Sequence, residues 1–125
     1  MVIEQGDIYW ADLRDPIGSS PAHTRPVVLL QNNYFNQSRL NTVIACVITT
    51  NLKRAVASAN VLLYAGEGGL AKDSVVVTSQ IVTLDKAELR EYIGTLSRKH
   101  IRRILAGLKL LTVPREADEK AAPKM

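Results

Sequence analysis

Two short apolar runs, Val27–Leu30 and Val43–Ile48, constrain this chain more than any other feature. Each is rich in β-branched residues and bounded by polar turn formers, which predicts a buried strand in both places. Arg25 stands just before the first run, and Thr49 and Thr50 just after the second. If the runs pair antiparallel, the start of one lies beside the end of the other, so Arg25 meets Thr49 and Thr50 at one rim. A guanidinium offers a planar fork of donors and threonine adds short ones, so the group is a seat for a phosphate. On these residues alone the alternative stays open: Arg25 as a solvated charge at a strand start, the threonines as ordinary strand formers.

Around that pair the chain predicts further short elements. Asp7–Leu13 (DIYWADL) alternates after a turn-like Gly6 and is the first strand, with Trp10 expected in the core. Arg14–His23 is a loop broken by Pro16, Gly18 and Pro21, and it delivers the chain straight to Arg25. At ten residues it exceeds the usual hairpin connection of about 2–5, and long loops are often functional. Asn32–Asn41 suits a turn or short irregular helix, and Asn51–Ser58 an exposed connector. Asn60–Tyr64 and Ser74–Thr78 predict strands, with Gln80–Leu84 continuing the latter beyond a bend. Asp85–Arg90 suits one helical turn and Tyr92–Leu96 a last strand. Ser97 then caps a long helix, Arg98–Leu111, whose apolar face is Ile101, Ile104, Leu105, Leu108 and Leu111. Its basic residues and His100 are expected at the surface. Many short strands and one terminal helix make an α+β, mainly β chain: a small, strongly bent sheet or partly open barrel of antiparallel strands with an amphipathic C-terminal helix across it.

At 125 residues the chain has the size of one domain, expected over residues 1–113, with 114–125 as a disordered tail. Cys46, the single cysteine, lies inside an apolar run and is expected to be a small buried hydrophobe. No cysteine–histidine cluster has zinc-site spacing, so no metal or other cofactor is expected. Glu4 and Asp7 stand where a signal peptide needs a basic segment, and no apolar run approaches the roughly 20 residues that span a bilayer. The expected location is therefore the cytoplasm, away from membranes. Sixteen Lys and Arg against twelve Asp and Glu favour an anionic partner, either nucleic acid or an acidic protein segment.

GDIYWADL at Gly6–Leu13, PIGS at Pro16–Ser19, TRPVVLLQNN at Thr24–Asn33, ACVITTN at Ala45–Asn51 and KDSVVVTSQIVTLDK at Lys72–Lys86 follow one another in that order. Together they resemble the MazF/PemK/Kid family of toxins from bacterial toxin–antitoxin modules, from about Gly6 to Leu111. The resemblance implies an SH3-like barrel, a two-fold homodimer, and a sequence-specific, ribosome-independent and metal-independent endoribonuclease acting on single-stranded RNA. It also implies a cognate antitoxin whose acidic, initially disordered segment wraps the basic groove. Arg25 matches the family's catalytic arginine and Thr49 the residue that holds the scissile phosphate. Ser19 matches a loop residue at the RNA groove, and Gln80 a glutamine at its edge. One position departs: Ser20 stands where relatives commonly carry an acidic residue, which leaves the general base unassigned.

Metal-free RNA cleavage proceeds by attack of the ribose 2′-OH on the adjacent phosphorus, giving a 2′,3′-cyclic phosphate and a 5′-OH. It needs a base for the 2′ proton, a donor for the leaving oxygen and positive charge at the phosphoryl oxygens. Arg25 suits the last role and Thr49 donates to the phosphate. His23, two residues before Arg25, is the candidate base, since an imidazole with a pKa of about 6.5 transfers protons near neutrality. The alternative, an ordinary loop histidine, stays open. Thr50, Lys53, Arg54 and Ser20 complete the expected RNA contacts. Two other classes remain: a non-catalytic RNA-binding or degenerate relative, and a gyrase-poisoning toxin on the same fold.

Overall fold

The computed structural model describes residues 2–13 and 23–114, with His23 described by its backbone alone. Among the described residues six strands occur in chain order: β1 (Asp7–Leu13), β2 (His23–Leu29), β3 (Thr42–Thr49), β4 (Val61–Leu63), β5 (Ser74–Asp85) and β6 (Leu89–Thr95). They form one sheet in the order β4-β5-β3-β2-β1-β6, and every neighbouring pair is antiparallel. With β4 and β6 as its two edges, the curled sheet is a half-barrel left open. Helix α1 (Asn33–Asn36) bridges β2 and β3, and α2 (Arg98–Thr112) is the last element among the described residues. The expected partly open antiparallel barrel with a C-terminal helix is the architecture found.

The continuous apolar runs have a structural cause: β2 and β3 are covered on both faces. Ile8, Val28, Cys46, Ile48, Val76 and Ile104 pack on one side, while Tyr9, Ala11, Val27, Leu29, Val43 and Ala45 pack on the other. Each strand of this central pair therefore contributes alternate residues to two separate cores. Cys46 is fully buried in the first, and burial pushes its thiol up to about 11.

β5 is one 12-residue strand where two joined by a bend were expected. The bend is a bulge: Cys46 pairs with Ile81 and Val47 with Val77, so Thr78–Gln80 are inserted between two regular ladders. Buried Thr78 satisfies its hydroxyl by donating to the Ala59 carbonyl at 2.9 Å. The expected turn of helix at Asp85–Arg90 is shorter, Lys86–Glu88, and is fixed by a reciprocal capping box between Asp85 and Glu88. Leu89 and Arg90 already belong to β6.

Ser97 caps α2 as expected, accepting the His100 backbone N–H. Ile104 is fully buried against the first core, with Ile101 and Leu108 beside it. Leu105 and Leu111, expected on the same face, are exposed instead. Gly107 rests directly on the Ala59 carbonyl; any Cβ there would overlap it. His100 is also less exposed than expected, because its ring lies between the Ser97 hydroxyl (2.9 Å from Nδ1) and the Glu67 carboxylate. Among the described residues no helix is long and apolar enough to cross a membrane.

Candidate functional site

The β2–β3 ladder pairs Val27 with Val47, Val28 with Cys46 and Leu29 with Ala45. Carried two residues further, the same register sets Arg25 across from Thr49, and both strands extend that far. Alternation then places Arg25 on the face of Val27, Leu29 and its β1 partner Ala11. Thr49 lies on the face of Val43 and Ala45, which is the same face. Arg25 is exposed and Thr49 half-buried at the end of a double-sided core. Among the described residues no hydrogen bond or ion pair engages the Arg25 guanidinium. Asp12, one position along β1 and facing the opposite side, is instead paired with Arg90 at 3.7 Å.

Thr49 Oγ1 accepts the Asn51 backbone N–H at 3.1 Å, and Asn51 Oδ1 accepts the Lys53 backbone N–H at 3.2 Å. These two local turns carry the chain from the strand end into a short 3-10 helix, Leu52–Val56. They bring Lys53 and Arg54, both exposed, to the segment that immediately follows Thr49 and Thr50. The hydroxyl, two backbone-fixed cations and an exposed arginine thus gather at one rim. Such a set has the chemistry a phosphodiester needs: a guanidinium can provide paired donors, a hydroxyl one more, and a lysine and an arginine positive charge for neighbouring phosphates.

The reverse face of the same rim carries a cavity of about 410 Å³, lined by Trp10, Pro26, Thr50, Leu70, Lys72 and Ile93 among others. Trp10, expected in the core, is 39% exposed here. It shares a face with buried Ile8, but stands beyond the part of that face that the first core covers. A bulge between Tyr9 and Ala11 in the β1–β6 ladder falls at the same place. The turn after β4 forms one wall: Gly69, at φ +77°, rests on the Ile93 carbonyl with no room for a Cβ. Sequence reasoning missed Trp10 and Lys72 as site residues. Alternation gives the face a residue occupies, but whether that face is covered depends on the remote Gly66–Leu70 turn.

Gln80 lies in the β5 bulge, exposed and next to the Ile81–Cys46 pair. That is three residues along β3 from Thr49, roughly 10 Å, so it flanks the Arg25–Thr49 pair without joining it. Ser19 and Ser20 lie outside the described residues, as does the side chain of His23; its backbone opens β2 opposite Leu13. Of the loop expected over Arg14–His23, only His23 is among the described residues, and it already belongs to β2. Among the described residues no three His, Cys, Asp or Glu side chains cluster as metal ligands.

Comparison with known proteins adds a separate line of evidence. The family described as PemK-like, MazF-like toxin of type II toxin–antitoxin system matches residues 4–112. The chain is similar to Endoribonuclease MazF6 of Mycobacterium tuberculosis, with 45% identity over 109 residues covering 87% of this chain and 96% of that one. It is also similar to Endoribonuclease EndoA of Bacillus subtilis, at 31% identity over 88% and 94% of the two chains. Among solved structures, an endoribonuclease in complex with its cognate antitoxin from Mycobacterial species superposes with a TM-score of 0.72 at 23% identity, over 91% of this chain and 99% of that one.

Proposed function

The chain belongs to the PemK-like, MazF-like toxins of type II toxin–antitoxin systems, and from that premise we propose that it is an endoribonuclease cutting single-stranded RNA at preferred sequences. The observation that carries this reading is the juxtaposition of Arg25 and Thr49 on one face at the end of β2 and β3. Its relatives from M. tuberculosis and B. subtilis carry endoribonuclease names, which supports the same chemistry here.

In the proposed reaction the scissile phosphate sits between Arg25 and Thr49. The 2′-oxygen attacks phosphorus, the new O2′–P bond forms, and the P–O5′ bond breaks. Negative charge building on the phosphoryl oxygens is stabilised by the guanidinium fork and by the Thr49 hydroxyl, whose acceptor side is already occupied by Asn51. His23, two residues before Arg25 on β2, takes the 2′ proton; the two-residue period of a strand is the spacing that would bring both to one side. A protonated group or water returns a proton to O5′, leaving a 5′-OH and a 2′,3′-cyclic phosphate. Lys53 and Arg54 hold the flanking phosphates, and Thr50, Gln80, Ser19 and Ser20 contact the bound strand. We assign it a homodimeric form, a cytoplasmic location and an acidic antitoxin segment as inhibitor. The antitoxin-bound structure of its fold neighbour supports the last of these.

Purified protein incubated with a long single-stranded RNA in EDTA tests the reading. Discrete fragments with cyclic-phosphate 3′ ends and free 5′ hydroxyls are expected. Intact RNA that stays bound would assign the chain to non-catalytic RNA binding, and intact RNA together with stalled gyrase in a separate assay with DNA and Mg²⁺ would assign it to the gyrase-poisoning class.

A further inference from the structure

We infer that the Trp10 cavity is a nucleobase subsite, taking one base of the RNA strand next to the phosphate held by Arg25 and Thr49. The inference rests on the nuclease reading and adds to it where sequence preference is generated.

Position comes first. The cavity's lining includes Pro26, which directly follows Arg25 on β2, and Thr50, the first residue past the end of β3 at Thr49. Adjacent strand residues face opposite sides, so the phosphate seat and the cavity mouth are separated by the thickness of the sheet's end. A nucleotide whose phosphate lies on one face can turn its base over the rim into the other.

Chemistry comes second. The cavity has an indole that the sheet leaves 39% exposed, with Leu70 and Ile93 as apolar walls. It also has the Thr50 hydroxyl and the Lys72 ammonium, both on exposed residues. An aromatic face with apolar walls stacks a base, a hydroxyl reads its edge, and a cation meets the next phosphate. At about 410 Å³ it falls within the size range of small-molecule clefts. Ser74 Oγ, also in the lining, donates to the Lys72 carbonyl at 2.8 Å and therefore offers a base only an acceptor. Shape is fixed by backbone: Gly69 and Gly94 allow the Gly66–Leu70 turn to rest against β6 with no side chain between them. A preformed wall of that kind discriminates between bases better than a mobile one.

Trp10 is the chain's single tryptophan, so its fluorescence reports this cavity alone. The test first maps a cut site with the wild-type chain on a long RNA. It then uses a short RNA spanning that site, made 2′-deoxy at the cut nucleotide to prevent cleavage. A series of such strands, each abasic at one position, is titrated against the full chain. Tryptophan quenching by the parent strand is expected, with the quench lost and binding weakened about tenfold or more when one position beside the cut is abasic. Trp10→Ala should relax the base preference at that position in cleavage mapping, whereas Lys72→Ala should weaken every strand alike. Absence of cleavage by the wild-type chain removes the nuclease reading and the subsite with it. Cleavage accompanied by a quench indifferent to every abasic position overturns the subsite alone, and would fit a peptide anchor in the cavity instead.

Discussion

Thr49 Oγ1 and the Asn51 backbone N–H meet at 3.1 Å, so the hydroxyl's acceptor side is committed within the chain and its hydrogen is left for an outside acceptor. Thr49→Val keeps the side-chain shape and removes that hydrogen. A loss of about 10²-fold in kcat, with KM changed much less, is expected from the removal of one transition-state donor. Thr49→Ser restores the donor and should stay within several-fold of wild type. Single-turnover cleavage of a mapped RNA measures both, and a fully active valine variant would remove Thr49 from the chemistry.

Arg25 is exposed at the start of β2, with no partner among the described residues. Arg25→Ala should reduce cleavage by about 10³-fold without lowering the unfolding midpoint. Arg25→Lys keeps the charge and loses the planar fork, so about a 10²-fold loss is expected. A lysine variant near wild-type rate would show that charge alone suffices. The same assay, run beside a denaturant titration, separates catalysis from folding.

If His23 is the base, the acid limb of the kcat/KM profile belongs to its imidazole, and activity rises with pH as the ring loses its proton. His23→Ala should lower the plateau by about 10²–10³-fold and remove that limb, leaving a flatter profile below neutrality. A wild-type limb that survives unchanged in the alanine variant assigns the base elsewhere.

Burial raises the Cys46 thiol from an ordinary value near 9.0 to about 11. Between those values the unfolded chain has released the proton that the folded chain still holds, so folding stability falls as pH rises through that window. Below about 9.0 neither state has lost it, and the contribution is flat. Urea unfolding at pH 8 and pH 10.5 should show a larger drop for the wild-type chain than for Cys46→Ala, the difference cancelling everything else that titrates. At pH 8 the native thiol should also resist alkylation that proceeds readily in urea.

Much of the sheet is legible because burial on two faces forces continuous apolar runs at Val27–Leu30 and Val43–Ile48, and these fix the central pair. The meeting of Arg25 with Thr49 follows from the same logic, since an antiparallel register joins a strand's start to its neighbour's end. What escapes sequence reasoning depends on distant backbone. Leu105 and Leu111 satisfy helical spacing yet are exposed, Leu105 at the flank of the buried stripe and Leu111 in the last turn of the helix. Trp10 has the composition and phase of a core residue, and it stays open because the first core stops short of its end of that face. The β5 bulge was legible as a bend, but its three inserted residues follow from pairing with Cys46 and Val47.

The sheet's double coating has a consequence for what can be cut. Arg25 and Thr49 stand on one side of a wall filled by two cores, and Trp10 opens on the other. A paired helix keeps its bases stacked inward and cannot drape across such an edge. Only a flexible, unpaired strand can hook over it, so discrimination against duplexes would be set by the thickness of the wall itself.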